Sequence, residues 1–279
     1  DGWRFAQRGW GKEMLGTSSL DSLPAVIPGS VHLDLQRNGV IPDPHFRMNE
    51  IGVQWVDAVD WIYETEFNWT PDPTLPRRVL SFKGLDTIAE VFLNDELLAR
   101  SDNMFLPLEV DVTDRLLTGE NRLRIEFASA ERVGQERQRA YFDENGITEP
   151  IVRFEPRSFV RKMQCAYGWA WGPVLRSCGI WQPIQLVEFA GRISKMTPRI
   201  TWNDDGSAAV ELEARIEGSG TLEGELTLLG FPDAPRAHAE EGVIHVMSPV
   251  LWQPLGWGEQ ARYRLTVRLV GDSRQTLDE

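Results

Sequence analysis

Alternation with period two dominates this chain. Trp61, Tyr63, Thr65, Phe67 and Trp69 alternate with Ile62, Glu64, Glu66 and Asn68, the signature of a strand with one buried face. Leu106, Leu108, Val110 and Val112 alternate with Pro107, Glu109, Asp111 and Thr113 in the same way. Leu123, Ile125 and Phe127 repeat the pattern after a turn read at Gly119-Glu120-Asn121. Shorter strands are predicted over 79–82 and 88–93, the second closed by a turn at Asn94-Asp95. Helices are few. The spacing predicts one over 31–38, with Ser30 as N-cap and Gly39 just past its end. A weaker helical stretch over 131–141 is rich in Arg, Gln and Glu. Many short strands separated by turn residues predict an all-β protein, a sandwich or jelly roll.

Near residue 190 the texture changes. Nine of the eleven tryptophans precede residue 203, and Ala190-Gly191 reads as a hinge. Beyond it Val210, Leu212, Ala214 and Ile216 alternate with charged residues, then come Leu222, Leu226 and Leu228, and finally Tyr263, Leu265, Val267 and Leu269. Strands at this spacing suit an immunoglobulin-like sandwich without the Cys…Trp…Cys signature. The expected division is therefore residues 1–190 and 191–279. No closing strand is legible before Asp278-Glu279, which reads as a boundary rather than a natural terminus.

Composition narrows the function classes. With 279 residues, 42% hydrophobic and 25% charged, the chain fits a globular protein of two domains. A net charge of −13 argues against nucleic-acid and anionic-membrane partners, which need basic patches. No apolar run approaches the roughly 18 residues of a membrane span, and no signal peptide opens the chain. Asp1-Gly2-Trp3 reads as a trimmed start, so a soluble protein is expected in either the cytoplasm or a secreted or periplasmic setting. Cys165 and Cys178 are too few for a disulfide framework, and two free, buried thiols are expected rather than a bridge. His32, His45, His238 and His245 lack metal-ligand spacing, so neither metal nor cofactor is expected.

The segment 159–181, FVRKMQCAYGWAWGPVLRSCGIW, carries the candidate chemistry. Trp169 and Trp171 flank Ala170 and run into Gly172-Pro173, which disfavours helix and strand alike. Two indoles on a turn, with Arg161, Lys162 and Gln164 upstream, suit a sugar: its C–H faces stack on aromatic rings and its hydroxyls take polar partners. A hydrophobic plug closing a sandwich is the alternative. Arg161 and Lys162 are as readily salt-bridge partners as sugar donors. Nucleophile and phosphate-loop motifs are absent. Asp43, Glu50, Asp57 and Asp60 gather around Trp55 and Trp61, but a solvated acidic loop over core tryptophans accounts for them, with Asn49 and Glu50 bracing that loop.

Several motifs in order bear a resemblance to a known family. They include Pro28-Gly29-Ser30-Val31-His32, Ile41-Pro42-Asp43-Pro44, Asn49-Glu50, Gln54-Trp55 and Asp60-Trp61-Ile62-Tyr63. Phe82-Lys83-Gly84-Leu85-Asp86-Thr87, Val91-Phe92-Leu93-Asn94, Asn103-Met104-Phe105 and Gly179-Ile180-Trp181 continue the series. Leu251-Trp252-Gln253-Pro254 and Gly256-Trp257-Gly258-Glu259-Gln260 extend it to the second domain. Together with Arg161-Lys162-x-Gln164 and the tryptophan turn, they resemble the N-terminal part of the β-mannosidases of glycoside hydrolase family 2.

The resemblance implies a galactose-binding-like jelly roll, then an immunoglobulin-like sandwich, then a downstream (β/α)8 barrel holding both catalytic glutamates of a retaining, exo-acting enzyme. It implies that Trp169, Trp171, Gly172, Arg161 and Gln164 meet the β-mannoside, and that the chain's partner is its own barrel. One position departs: the family turn carries Asp where this chain has Ala170. A charge-assisted bond to a sugar hydroxyl contributes about 1.5–3 kcal/mol, so its loss costs about 10- to 100-fold in affinity. A free-standing carbohydrate-binding module, a family member acting on another β-glycoside, and a purely structural pair of domains are the competing readings.

Overall fold

The period-two segments pair as antiparallel strands in two compact units, one comprising 1–72 and 78–187, the other 73–77 and 188–279. The computed structural model describes residues 2–8, 22–148, 156–168, 172–231 and 236–279. The first unit begins with β1 (Arg4–Arg8), β2 (Leu23–Pro24) and the helices α1 (Val31–Arg37), α2 (Asn49–Gly52) and α3 (Trp55–Ala58). Strands β3 (Asp60–Trp69), β4 (Arg77–Phe82), β5 (Ile88–Leu93), β6 (Glu96–Ser101), β7 (Leu108–Asp111) and β8 (Gly119–Ala128) follow. Helix α4 (Ala130–Glu144) and β9 (Ile184–Phe189) complete it.

A six-stranded sheet, ordered β2-β1-β3-β8-β5-β6, and a three-stranded sheet, β7-β4-β9, supply the core of this unit. The inward positions of β3 do what alternation requires: Trp61 and Tyr63 are completely buried, with Phe5, Phe82 and Phe127 packed in the same cluster. The polar groups of Trp61 and Tyr63 both have partners. Trp61 Nε1 donates to the Val56 carbonyl at 3.0 Å, and the Tyr63 hydroxyl donates to Asp34 Oδ2 at 3.1 Å. Asn94 and Asp95 have φ of 51° and 66°, which makes the two-residue turn that twists β5 into β6.

Local expectations hold with four differences. The strand expected over 106–112 contracts to β7, because Pro107 has no N–H to pair and Leu106 is exposed. The turn read at Gly119-Glu120-Asn121 is already the start of β8; the buried Asn121 instead secures the preceding turn, bonding Leu117 N and O at 2.9 and 2.7 Å. Ser30 stands at the N-cap of α1 but its side chain makes no capping bond. Helix α4 runs longer than expected because Ser129, whose side chain accepts from Arg132 N, caps its start.

The second unit contains β10 (Gly191–Trp202), β11 (Ala208–Gly218), β12 (Thr221–Leu228), β13 (Ala237–Glu240), β14 (Val243–Val246), β15 (Tyr263–Val270) and β16 (Thr276–Asp278). Their order, β10-β11-β14-β13-β12-β15-β16, wraps around a core of Val210, Leu212, Leu226, Ile244 and Val267. The sheet curls until its edges approach: Ile193 N donates to Asp278 Oδ2 at 2.7 Å. A closing strand therefore exists, contrary to the sequence reading. β16 is only three residues long, too short for alternation to register.

Both cysteines are free, but only Cys178 is buried; Cys165 is exposed because it sits on the short 3-10 turn Gln164–Tyr167. Among the described residues, no helix is long and apolar enough to cross a membrane.

Candidate functional site

Trp169, Ala170 and Trp171 lie outside the described residues, but both flanks of their turn are defined. On the N-terminal flank, Arg161 is exposed, and its carbonyl accepts from Met104 N at 3.1 Å. Gln164 is also exposed, and its Nε2 donates to the carbonyls of Arg157 and Lys162, each at 3.2 Å. That amide is spent on the fold of its own segment. Gly172, on the other flank, is half-buried, with open space where a Cβ would stand. The two flanks meet through Leu175 N, which donates to Ala166 O at 3.0 Å, and through Gly168, where a Cβ would stand 2.5 Å from Val174 Cγ2.

Beyond Gly172 the chain forms neither helix nor strand as far as β9, yet every residue from 174 to 181 is held by another element or flank. Val174 N donates to Glu50 Oε2 at 3.2 Å and its carbonyl accepts from Gln54 Nε2 at 2.8 Å. Arg176 N donates to Asp57 Oδ2 at 3.2 Å, and its Nη2 to Gln54 Oε1 at 3.2 Å. The Ser177 carbonyl accepts from Lys162 Nζ at 2.6 Å, and its Oγ lies 2.9 Å from His32 Nδ1. Cys178 O and Ile180 O accept from Val31 N and Gly29 N, Gly179 exchanges two bonds with Asp86, and Trp181 Nε1 donates to Met104 O. An irregular segment held by its neighbours at so many points is a fixed frame.

Behind this frame lies a buried ionic network. Lys162, 3% exposed, pairs with Asp86, which also accepts from the Thr87 hydroxyl. Arg176 Nε lies 3.1 Å from Asp57 Oδ2 and 3.4 Å from Glu131 Oε2, while His32 Nε2 lies 3.6 Å from Asp57 Oδ1. Burial raises the Asp57 carboxyl to about 6, with the Arg176 charge opposing the rise only in part. Burial, aided by the Lys162 charge, lowers His32 to about 4. At neutral pH the arrangement therefore holds an ionised Asp57 beside a neutral imidazole.

This corrects the reading of Asp57 and Asp60 as part of a solvated loop, whereas Asp43 is exposed on a loop as expected. Asp57 is 4% exposed and Asp60 binds Arg132 at 2.7 Å. The reason is local: residues 49–58 coil into α2 and α3, which turns 50, 54 and 57 to one side. Trp55 and Trp61 belong to the core, as expected, and Glu50 does brace a loop, namely the frame at Val174. Lys162 is an ion-pair residue. Gln54 and Asp86 enter the sequence reading only within the family motifs, His32 there and among the histidines without metal-ligand spacing, and Arg176 only within the 159–181 segment, none with a role assigned; the 50/54/57 spacing is a further signal.

The second unit presents a different surface. Leu255 and Trp257 are 87% and 84% exposed, with Trp202 and Trp252 more than half exposed. A cavity of about 380 Å³ beside Trp252 is lined by Ile200, Trp202, Val246, Leu251 and Tyr263. The loop bearing Trp252 and Trp257 is built, since Gln253 N donates to Glu259 O at 2.8 Å and Trp257 N to Pro254 O at 2.9 Å. Among the described residues, no group of three or more His, Cys, Asp or Glu is arranged to hold a metal ion.

Comparison with known proteins accords with this geometry. The family described as glycosyl hydrolase 2 galactose-binding domain-like matches residues 3–182. A β-mannosidase B from Thermothelomyces thermophilus is 35% identical over 257 residues, covering 87% of this chain and 29% of that protein. A β-mannosidase B from Emericella nidulans is 33% identical over 283 residues, covering 96% of this chain and 33% of that protein. Among solved structures, a β-D-mannosidase from Dictyoglomus thermophilum superposes with a TM-score of 0.76 at 30% identity, over 99% of this chain and 34% of that one. The chain thus spans about a third of the length of the curated relatives it matches.

Proposed function

Because the chain belongs to glycosyl hydrolase family 2, through a galactose-binding-like domain over residues 3–182, we propose that it forms the non-catalytic N-terminal part of a retaining, exo-acting β-mannosidase. In this reading residues 1–190 are the jelly roll and 191–279 the immunoglobulin-like sandwich. The tryptophan turn, with Trp169, Trp171, Gly172 and Arg161, faces a terminal β-D-mannose, and Gln164, whose Nε2 is bound within its own segment, supports it. The acid/base and nucleophilic glutamates belong to a downstream (β/α)8 barrel.

The observation that carries the non-catalytic reading is the state of the buried carboxylates. Asp34 is taken by Arg37 and Tyr63, Asp57 by Arg176, Asp86 by Lys162, and Glu126 by Arg8 and Arg124. A glycosidase acid and its partner must both face the scissile bond, about 5–5.5 Å apart for retention; these groups instead face cations of their own fold. The exposed Trp252, Leu255 and Trp257 surface supports the same reading, because a patch of this kind is suited to burial against another domain.

Assay of 4-nitrophenyl β-D-mannoside hydrolysis by the 279-residue chain and by the enzyme as its gene encodes it tests the proposal. The chain alone is expected to be inactive, and the whole enzyme to release β-mannose first, as seen by proton NMR. Turnover by the chain alone, or inversion at the anomeric carbon, overturns it.

A further inference from the structure

Glu50, Gln54 and Asp57 follow one another at intervals of four and three, the spacing that stacks side chains on one helical face. The break between α2 and α3 barely disturbs it, since Gln54 itself is helical at φ −60° and ψ −22°. All three side chains reach the same short piece of chain. Glu50 Oε2 takes the Val174 N–H, Gln54 takes the Val174 carbonyl with Nε2 and the Arg176 guanidinium with Oε1, and Asp57 Oδ2 takes the Arg176 N–H.

Val174 therefore has its donor and its acceptor both bound by side chains, a role that a neighbouring strand fills in a sheet. It stands three residues from Trp171 in sequence. Hydrophobic side chains would secure this segment without burying a carboxylate, so stability alone does not call for this composition. Polar clamps do something apolar packing does less well: they fix a backbone at set distances and angles.

We propose that Glu50, Gln54 and Asp57 are positioning residues, a three-point clamp on Val174 and Arg176 that fixes the C-terminal flank, from Gly172 onward, on which sugar binding depends. The inference rests on the reading that the turn meets the substrate. None of the three touches the sugar.

The test uses the enzyme as encoded, with 4-nitrophenyl β-D-mannoside. Glu50→Ala and Gln54→Ala are expected to raise KM on the order of tenfold, the effect of losing one oriented contact, with kcat within about twofold. Glu50→Gln keeps an oxygen acceptor for Val174 N and is expected to restore KM to within about threefold of the parent. Trp169→Ala and Trp171→Ala run in parallel. If the tryptophan variants lower kcat/KM and the alanine variants at 50 and 54 do not, the clamp is overturned and the turn's substrate role stands. Unchanged kcat/KM in both tryptophan variants overturns the two readings together. Loss of melting temperature and kcat in Glu50→Ala, with no rescue by Gln, shows a merely structural role and also overturns the clamp.

Discussion

Asp57 Oδ2 receives Arg176 twice, from the backbone N–H at 3.2 Å and beside the guanidinium Nε at 3.1 Å, although the two residues lie 119 positions apart. The contact joins a short acidic helix to the flank of the tryptophan turn. It also places an ionisable group where its proton equilibrium becomes a property of the whole first unit.

His32 and Asp57 are expected to drive stability in opposite directions with pH. His32 is held at about 4 in the fold against about 6.5 when unfolded, so its contribution is present above 6.5 and lost as pH falls towards 4. Asp57 is raised to about 6, so its contribution is present below its unfolded value and lost as pH rises through 6. Each effect is roughly 3 kcal/mol, and in the parent they offset between pH 4 and 6. Urea unfolding at pH 4, 5 and 6 should show His32→Asn gaining stability on acidification and Asp57→Asn losing it, both relative to the parent. Parallel profiles for all three proteins would refute the assignment.

The Lys162–Asp86 pair should behave as a buried unit. Lys162→Met leaves Asp86 without its cation and is expected to cost about 3–5 kcal/mol. Adding Asp86→Asn should recover part of that loss, because the stranded charge is gone. A double variant as unstable as the sum of the singles would contradict this.

The glycines on the two flanks of the turn should differ. Gly168 has a φ of +85° and lacks room beside Val174, so Gly168→Ala should destabilise by about 1–3 kcal/mol. Gly172 has open space, and Gly172→Ala should change stability by less than about 0.5 kcal/mol. Thermal melts of the two variants check the contrast; equal losses would defeat it.

Asn121 secures two turns at once. Its side chain bonds Leu117 N and O, and its Oδ1 also accepts from Asn94 Nδ2 at 2.9 Å. Asn121→Ala should cost about 2–3 kcal/mol in denaturant unfolding, since buried backbone groups lose their partners. A loss below about 0.5 kcal/mol would show that the turn holds itself.

Sequence reading reaches what is local and periodic. β3, β8 and β15 announce themselves because one face is buried at every second residue, and α4 because its pattern outlasts a single turn. β16 and the helices α2 and α3 are too short for any period to register, and an acidic stretch among tryptophans reads as a loop. The turn expected at the tryptophans rests on Gly172-Pro173, which disfavours regular structure, and the tryptophans themselves lie outside the described residues. The partners of its flanks were not legible, because Glu50, Gln54 and Asp57 meet residues more than a hundred positions away, and only the tertiary fold sets which of the many acids is buried.

The frame from 174 to 181 is gripped largely through main-chain N–H and C=O groups. Main-chain atoms are common to all residue types, so such anchoring separates where the neighbouring turn begins from what side chains it carries. Under the proposed function, exchange of one residue between the indoles, such as Ala170, retunes recognition while the scaffold stays unchanged. Selectivity on such a support is open to change one substitution at a time.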